Sequence, residues 1–394
     1  MRLRRSVLVP LALLLVGAAG AYAAAPYVRA ASLFVRTANL GGRTEAFAEA
    51  RARRVEVEPP RLLPTRGGEV VAQLYRPDGR VRRSVLLVPG VHSMGIAEPR
   101  LTGLARDLAG SGIAVLTVAL PDLTAYRITA RSADVIEDAV AWMAAEPQLA
   151  PDGRVGVIGI SFAGGLAIVA AGRAAVRDAV AYVVSFGGHG DLGRVLHYLA
   201  TGEAVQAPVA SGFSRKPQPP PHDYGVAVIL YAAADRMVPA EQVAPLREGI
   251  RTFLYASQLT LVDMTQANAT FARARQMVKS LPEPAATYLT YVNERNVKAL
   301  GPILVPHLGL EADPAASPER APSVPSAPVF LLHGDGDTVI PTAESAVLGE
   351  YLRSKGVDVR VLVSQIITHA ELDRSAAAME IWRLIAFWAE VLRR

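Results

Sequence analysis

The segment Gly159-Ile160-Ser161-Phe162-Ala163-Gly164 constrains this chain more than any other. It follows Arg154-Val155-Gly156-Val157-Ile158, a run rich in β-branched residues, and precedes Gly165-Leu166-Ala167-Ile168-Val169-Ala170-Ala171, small and apolar residues suited to a buried helix. A serine at a strand-to-helix turn, flanked by residues with little or no side chain, is what a nucleophile elbow requires. The turn is too tight for bulk, so Gly159 and Ala163 leave room where strand and helix nearly touch. The helix start then offers an unpaired N–H and a positive dipole end beside Ser161. The usual elbow pattern closes on glycine, and Ala163 stands in that place. A glycine-rich turn whose serine merely caps a helix has the same outline, so residues elsewhere must separate the two readings.

Those residues occur, and in a telling order. Ala327-Pro328-Val329-Phe330-Leu331-Leu332 reads as a buried strand running into His333-Gly334-Asp335-Gly336-Asp337-Thr338-Val339-Ile340-Pro341. Val357 to Val363 reads as the next strand and is followed by Thr368-His369-Ala370-Glu371. Serine, then an acid after a strand, then a histidine after the next strand is the chain order of α/β-hydrolase triads. From about Val55 onward the sequence resembles the α/β-hydrolase superfamily, particularly its dienelactone-hydrolase-like and carboxylesterase branches. The resemblance implies Ser161 as nucleophile, His369 as base and Asp337 as the acid. Asp335, two residues before Asp337, is the rival carboxylate. The dienelactone branch typically uses a cysteine nucleophile, and this chain has no cysteine. Disulfides and thiolate metal sites are excluded for the same reason.

Serine needs a neighbouring base to take its proton during attack. A histidine titrates near neutral pH and can return that proton to the leaving group, which suits His369 to the task. Asp337 would hold the imidazole tautomer. The oxyanion needs preset donors, expected from the backbone N–H groups of Phe162 and Val91. His92 and Ser93 share the Val91 loop and are candidates to line the substrate. His189, in Gly187-Gly188-His189-Gly190-Asp191, follows a strand and is a candidate to border the pocket. No histidine pair has zinc-helix spacing, and no glycine-rich fingerprint follows a first strand, so no metal or cofactor is expected.

Strands at Glu69–Tyr75, Ser84–Val88, Ile113–Ala119, Arg154–Ile158 and Ala179–Val184 alternate with helical stretches at Pro99–Ala109 and Ser132–Ala145. That alternation predicts an α/β fold, a mostly parallel sheet flanked by helices, with ligands at the carboxyl ends of its strands. Residues 187–326 break the alternation and read as a mainly helical cap within a hydrolase domain at 55–394. Inside the cap, Tyr231-Ala232-Ala233-Ala234-Asp235 echoes the Asp337 segment, but its alanines favour a helix.

At the other end, Arg2-Leu3-Arg4-Arg5 precedes Ser6 to Ala25, an uncharged and mostly apolar stretch. Basic residues stay inside while such a stretch enters the bilayer. Residues 1–25 therefore read as a signal peptide, cut after Ala21-Tyr22-Ala23, or as a retained membrane anchor, and 26–54 as a helical spacer. Arg51-Ala52-Arg53-Arg54 reads as a solvated face next to the membrane. The formal charge of +5 falls to +2 without the three N-terminal arginines, which gives no argument for nucleic acid. The expectation is an exported or membrane-anchored serine hydrolase acting on small-molecule carboxylic esters. Acyl transfer or amide cleavage by the same triad, and a hydrolase-like envelope binding protein without turnover, are the alternatives.

Overall fold

Side chains alternate across a strand, so apolar strands covered by helices on both faces feed two separate layers. The computed structural model describes residues 5–207, 218–260, 262–311, 313–367 and 374–394, with the side chains of 5–19, 21, 310, 311 and 374–377 outside the description. Among these residues one sheet contains β1 (Val55–Val57), β2 (Arg61–Thr65), β3 (Gly68–Pro77), β4 (Ser84–Val88), β5 (Ala114–Val118), β6 (Val155–Ile160), β7 (Val180–Phe186), β8 (Val329–Gly334) and β9 (Val359–Ser364). Their order is β1-β3-β5-β4-β6-β7-β8-β9, with β2 also paired to β3. The strands from β5 to β9 in that order pair in parallel, while β1, β2 and β5 meet β3 antiparallel. This is the mostly parallel sheet expected from the sequence.

The layers follow from the alternation. Leu86 and Val88 of β4, Val157 of β6 and Leu331 of β8 join one apolar core. Val85, Leu87, Ile158 and Leu332 join the other. The second layer is closed by α1 (Arg5–Thr37) and α3 (Pro99–Gly110), with α2 (Gly42–Ala50) packed on α1. After β5 the chain forms α4 (Pro121–Thr124) and α5 (Ala130–Ala144), and after β6 it forms α6 (Phe162–Gly172). Helices α5 and α6 cover the first layer, and every residue of α6 is buried. Its small residues permit that depth: a Cβ on Gly164 would lie 2.4 Å from Ser185 Oγ.

Between β7 and β8 the described chain is helical. It forms α7 (Leu192–Thr201), α8 (Tyr224–Met237), α9 (Ala240–Leu259), α10 (Met264–Met277), α11 (Ala285–Asn293), α12 (Val297–Leu304) and α13 (Leu308–Glu311). The echo at Asp235 falls inside α8, where the residue is exposed and pairs with Arg247 at 3.3 Å, so it ends no strand. Two helices complete the chain: α14 (Ala343–Ser354) on the first layer and α15 (Arg374–Val391) on the second. Among the residues with described side chains, no helix is long and apolar enough to cross a membrane. The stretch Ser6–Ala25 belongs to α1 and lies mostly outside them.

Candidate active site

Strand β6 ends at Ile160, and the next residue turns the chain sharply into α6. Ser161 holds φ 56° and ψ −134°, a combination that side-chain-bearing residues rarely adopt. Such a conformation costs on the order of 1–3 kcal/mol and persists only when its surroundings impose it. Here the Ser161 N–H donates to Phe186 O at 2.7 Å, and the Gly164 N–H donates to Ser161 O at 2.7 Å. Gly159 is obligatory, because a Cβ there would stand 2.3 Å from Ala163 O. Ala163 itself is fully buried in the apolar core, so alanine is tolerated where the elbow pattern has glycine.

Two backbone segments meet at this serine. Phe162 opens α6, where first-turn N–H groups lack helical acceptors and the dipole is positive. The loop after β4 approaches so closely that a Cβ on Gly90 would lie 3.1 Å from both Ser161 Cβ and Ile160 O. Val91 is the next residue along, packed against the first core layer. The donors expected from the sequence thus belong to segments that converge on Ser161.

The acid loop lies two strands away. Asp337 follows β8, and β7 separates β8 from β6. At about 4.8 Å per strand, the two strand ends stand about 10 Å apart, a gap that an imidazole can bridge. Asp337 Oδ1 accepts from the N–H groups of Val339 at 2.8 Å and Ile340 at 3.1 Å. Its Oδ2 lies 3.5 Å from His333 Nε2 and faces Gly187 at the end of β7. Burial pushes this carboxyl up, but His333, by hydrogen bond and charge, and the two N–H groups outweigh it and hold the group below the ordinary carboxylate range. His333 is fully buried: it donates from Nε2 to Ile340 O at 2.9 Å, and its Nδ1 shares a hydrogen bond of 2.7 Å with the Ser345 hydroxyl. It thereby fixes the loop that presents Asp337. Asp335 sits earlier, its N–H donating to Ser364 O at 3.0 Å.

His369 lies outside the described residues. The strand leading to it does not: β9 ends at Ser364, held to the acid loop by that same bond to Asp335. The chain is therefore delivered beside Asp337 a few residues before the histidine.

The remaining candidates separate clearly. Ser93 donates to Gln258 Oε1 of α9 at 2.6 Å, joining the Val91 loop to the helical stretch between β7 and β8. His92 is half-buried and accepts at Nδ1 from the Met94 N–H at 3.2 Å, and burial lowers its pKa. His189 requires a correction. It is fully buried, its Nε2 donates to Ala316 O at 2.9 Å, and its ring rests 5.6 Å from Phe162. Burial lowers its pKa as well. The chain turns inward after Gly187 and Gly188, so this histidine props α6 from below and does not border a pocket.

Three further side chains at this rim carry no local signature in the sequence. Tyr126, just after α4, has φ 58° and is 2% exposed. Its hydroxyl lies beside the Ser93–Gln258 pair without a well-formed hydrogen bond of its own. Tyr224, at the start of α8, has its pKa raised by burial and, to a smaller degree, by Tyr126 and Asp337 within electrostatic reach. Gln218 donates to Asp337 O at 2.6 Å, and the His222 N–H donates to Thr338 O at 2.8 Å. The insertion is thus tied to the acid loop and to the Val91 loop, on both sides of the serine. Among the described residues no cluster of three or more His, Cys, Asp or Glu could hold a metal ion.

No family model and no curated protein matches the chain. Among solved structures it is similar to an esterase of Pyrobaculum calidifontis, at 17% identity over 88% of this chain and 88% of that one, with a TM-score of 0.45. An esterase of Pyrococcus furiosus is 14% identical over 86% of this chain and 92% of its own, with a TM-score of 0.42. The acylaminoacyl peptidase of Pyrococcus horikoshii is 13% identical over 90% of this chain and 44% of its own, with a TM-score of 0.45. The fold is assigned from this chain's own sheet. With a strained serine elbow after β6, an acid loop after β8 and β9 ending beside that loop, it is the α/β-hydrolase fold.

Proposed function

We propose that the protein is a serine hydrolase that cleaves carboxylic esters through an acyl-enzyme, and that it is exported or held at a membrane by its N-terminal segment. The observation that carries the catalytic reading is the strained backbone of Ser161 at the strand-to-helix turn, with the Gly90 loop pressed against it.

Each step has a residue. Ser161 Oγ attacks the ester carbonyl carbon while His369 takes its proton, and the carbonyl electron pair becomes an oxyanion facing the N–H groups of Phe162 and Val91. Collapse of this intermediate expels the alkoxide, which leaves with the proton from the imidazolium. Water then repeats the sequence on the acyl-serine and frees the acid. Asp337 stays ionised throughout and orients the imidazole. The hydroxyl of Ser93 and the amide of Gln258, bonded to each other at 2.6 Å, are the groups this reading assigns to the polar part of the substrate.

A p-nitrophenyl ester tests this directly. Rapid mixing should give a burst of nitrophenolate, and mass spectrometry should place the acyl group on the peptide containing Ser161. Ser161→Ala should abolish the burst and lower turnover by about 10⁴-fold or more. Undiminished turnover in that variant would remove the proposal.

A further inference from the structure

The opposite end of the sheet carries a second feature that catalysis does not use. A cleft of about 530 Å³ opens between α1, the segment after α2, the β3–β4 connection and the α3–β5 turn. Arg29, Arg51, Arg53, Arg80 and Arg82 line it and are exposed. Deeper in it, Arg36 is committed to Asp107 and Ser111, and Arg83 to Leu392 O. Among the described residues no acidic side chain lines the cleft, and none of the five exposed arginines has a carboxylate partner. Arg53 donates only to the carbonyls of Asp78 and Arg80, at 3.2 and 3.4 Å, and Arg51 lies over the Phe47 ring. Five exposed guanidinium groups without a carboxylate partner thus share one cleft on a chain whose whole formal charge is +5. Guanidinium forks match phosphate oxygens, and like charges held together without counter-charge call for an anionic partner.

The position of the cleft names that partner. Helix α1 runs unbroken from Arg5 to Thr37, and Tyr22, Val28 and Arg29 of this helix line the cleft. Its uncharged stretch, Ser6 to Ala25, is about 30 Å long as a helix, the thickness of a bilayer's hydrocarbon core. Arg29 follows about 6 Å beyond that stretch, at the depth of the headgroup layer. Exposed aromatic residues accompany it: Tyr22 is 85% exposed, and Trp382 is 55% exposed and stacked on Tyr27 at 5.5 Å. Aromatic rings at the end of an apolar helix are the pattern of a membrane–water interface, and guanidinium groups at that depth meet lipid phosphates.

We infer that this arginine cleft seats the phosphate headgroups of anionic phospholipids, so that the domain stands on the bilayer with its catalytic rim facing away. The inference rests on the membrane part of the proposed function and is independent of its chemistry. A failed acylation experiment would leave it standing, and its own failure would leave the esterase reading intact.

The test uses the full chain in neutral detergent micelles doped with phosphatidylglycerol or phosphatidylcholine, with inorganic phosphate as a separate arm. Melting is followed by intrinsic fluorescence. Phosphatidylglycerol should raise Tm by several degrees at low salt, through binding to the folded state alone. The rise should vanish at about 1 M salt, where the screening length is about 3 Å. Phosphatidylcholine should give no rise. Arg51→Glu/Arg80→Glu/Arg82→Glu should remove the phosphatidylglycerol response while melting normally in undoped micelles. A triple glutamine variant, which adds no negative charge, should weaken it. Equal responses to the two lipids, or a response that survives the glutamate variant, would overturn the inference. A full response to inorganic phosphate would overturn it too, by assigning the cleft to a soluble ligand.

Discussion

Two neighbouring loops in this protein hold the same residue types and do opposite things with them. The loop after β8 carries Asp337 beside His333, and the loop after β7 carries His189 and Asp191 near Glu344. In the second group every carboxylate is saturated. Glu344 is 1% exposed and accepts from the N–H groups of Gly190 at 2.9 Å and Asp191 at 3.1 Å, and from Arg194. Arg194 also grips Glu319, and Arg320 holds Asp191 at 2.5 Å. In the first group only Oδ1 of Asp337 is fully engaged, and Oδ2 looks toward the strand end beside the serine. A carboxylate with all its lone pairs occupied is a clamp. One with an oxygen left facing the rim is equipped to orient a base.

Substitution should separate the two. Asp337→Asn keeps the loop's shape but loses the charge that fixes the imidazole, and should lower kcat/KM by about 10³- to 10⁴-fold together with a modest fall in Tm at neutral pH. Because His333 and the two N–H groups hold Asp337 below the ordinary carboxylate range, it remains ionised wherever a histidine titrates. Activity should therefore rise with pH through one limb near the ordinary histidine value of about 6.5. The same depressed pKa adds stability that is present above the ordinary aspartate value of about 3.9 and is lost as pH falls through the folded value. A Tm-against-pH comparison with Asp337→Asn should show the gap closing in acid.

Glu344→Gln should do the reverse. It breaks a buried charge pair and should cost about 3 kcal/mol by denaturant melting, the lower part of the usual range because Arg194 keeps Glu319. Acylation per folded molecule should be unchanged. The smallest effect is expected at Tyr126→Phe. Its hydroxyl has no well-formed partner, so removal should leave Tm nearly unaltered. If it meets substrate, KM should rise by about five- to tenfold, worth roughly 1 kcal/mol.

The comparison also explains what could be read in advance. Ser161 was legible because a β-branched run, a glycine and a small-residue helix specify a turn locally, and Asp337 because a buried strand runs straight into it. The alanines around Asp235 gave away its helix in the same manner. His189 misled because following a strand is a local fact, whereas facing inward depends on Gly187, Gly188 and the depth of α6. Tyr126 left no trace, since a positive φ at a bulky residue is imposed by packing. Gln258 meets Ser93 across 165 positions, a contact no local pattern encodes. The edge strands β1 and β2 were hidden too, their short spans interrupted by Pro59, Pro60 and Pro64.

The most direct test is the rate at which a fluorophosphonate labels Ser161 in the wild type and in His369→Ala, followed across pH. The account predicts single-site labelling of the wild type that slows as pH falls through about 6.5, and a His369→Ala rate lower by at least about 10³-fold with that pH dependence gone. Labelling of His369→Ala at the wild-type rate, or of a residue other than Ser161, would contradict it.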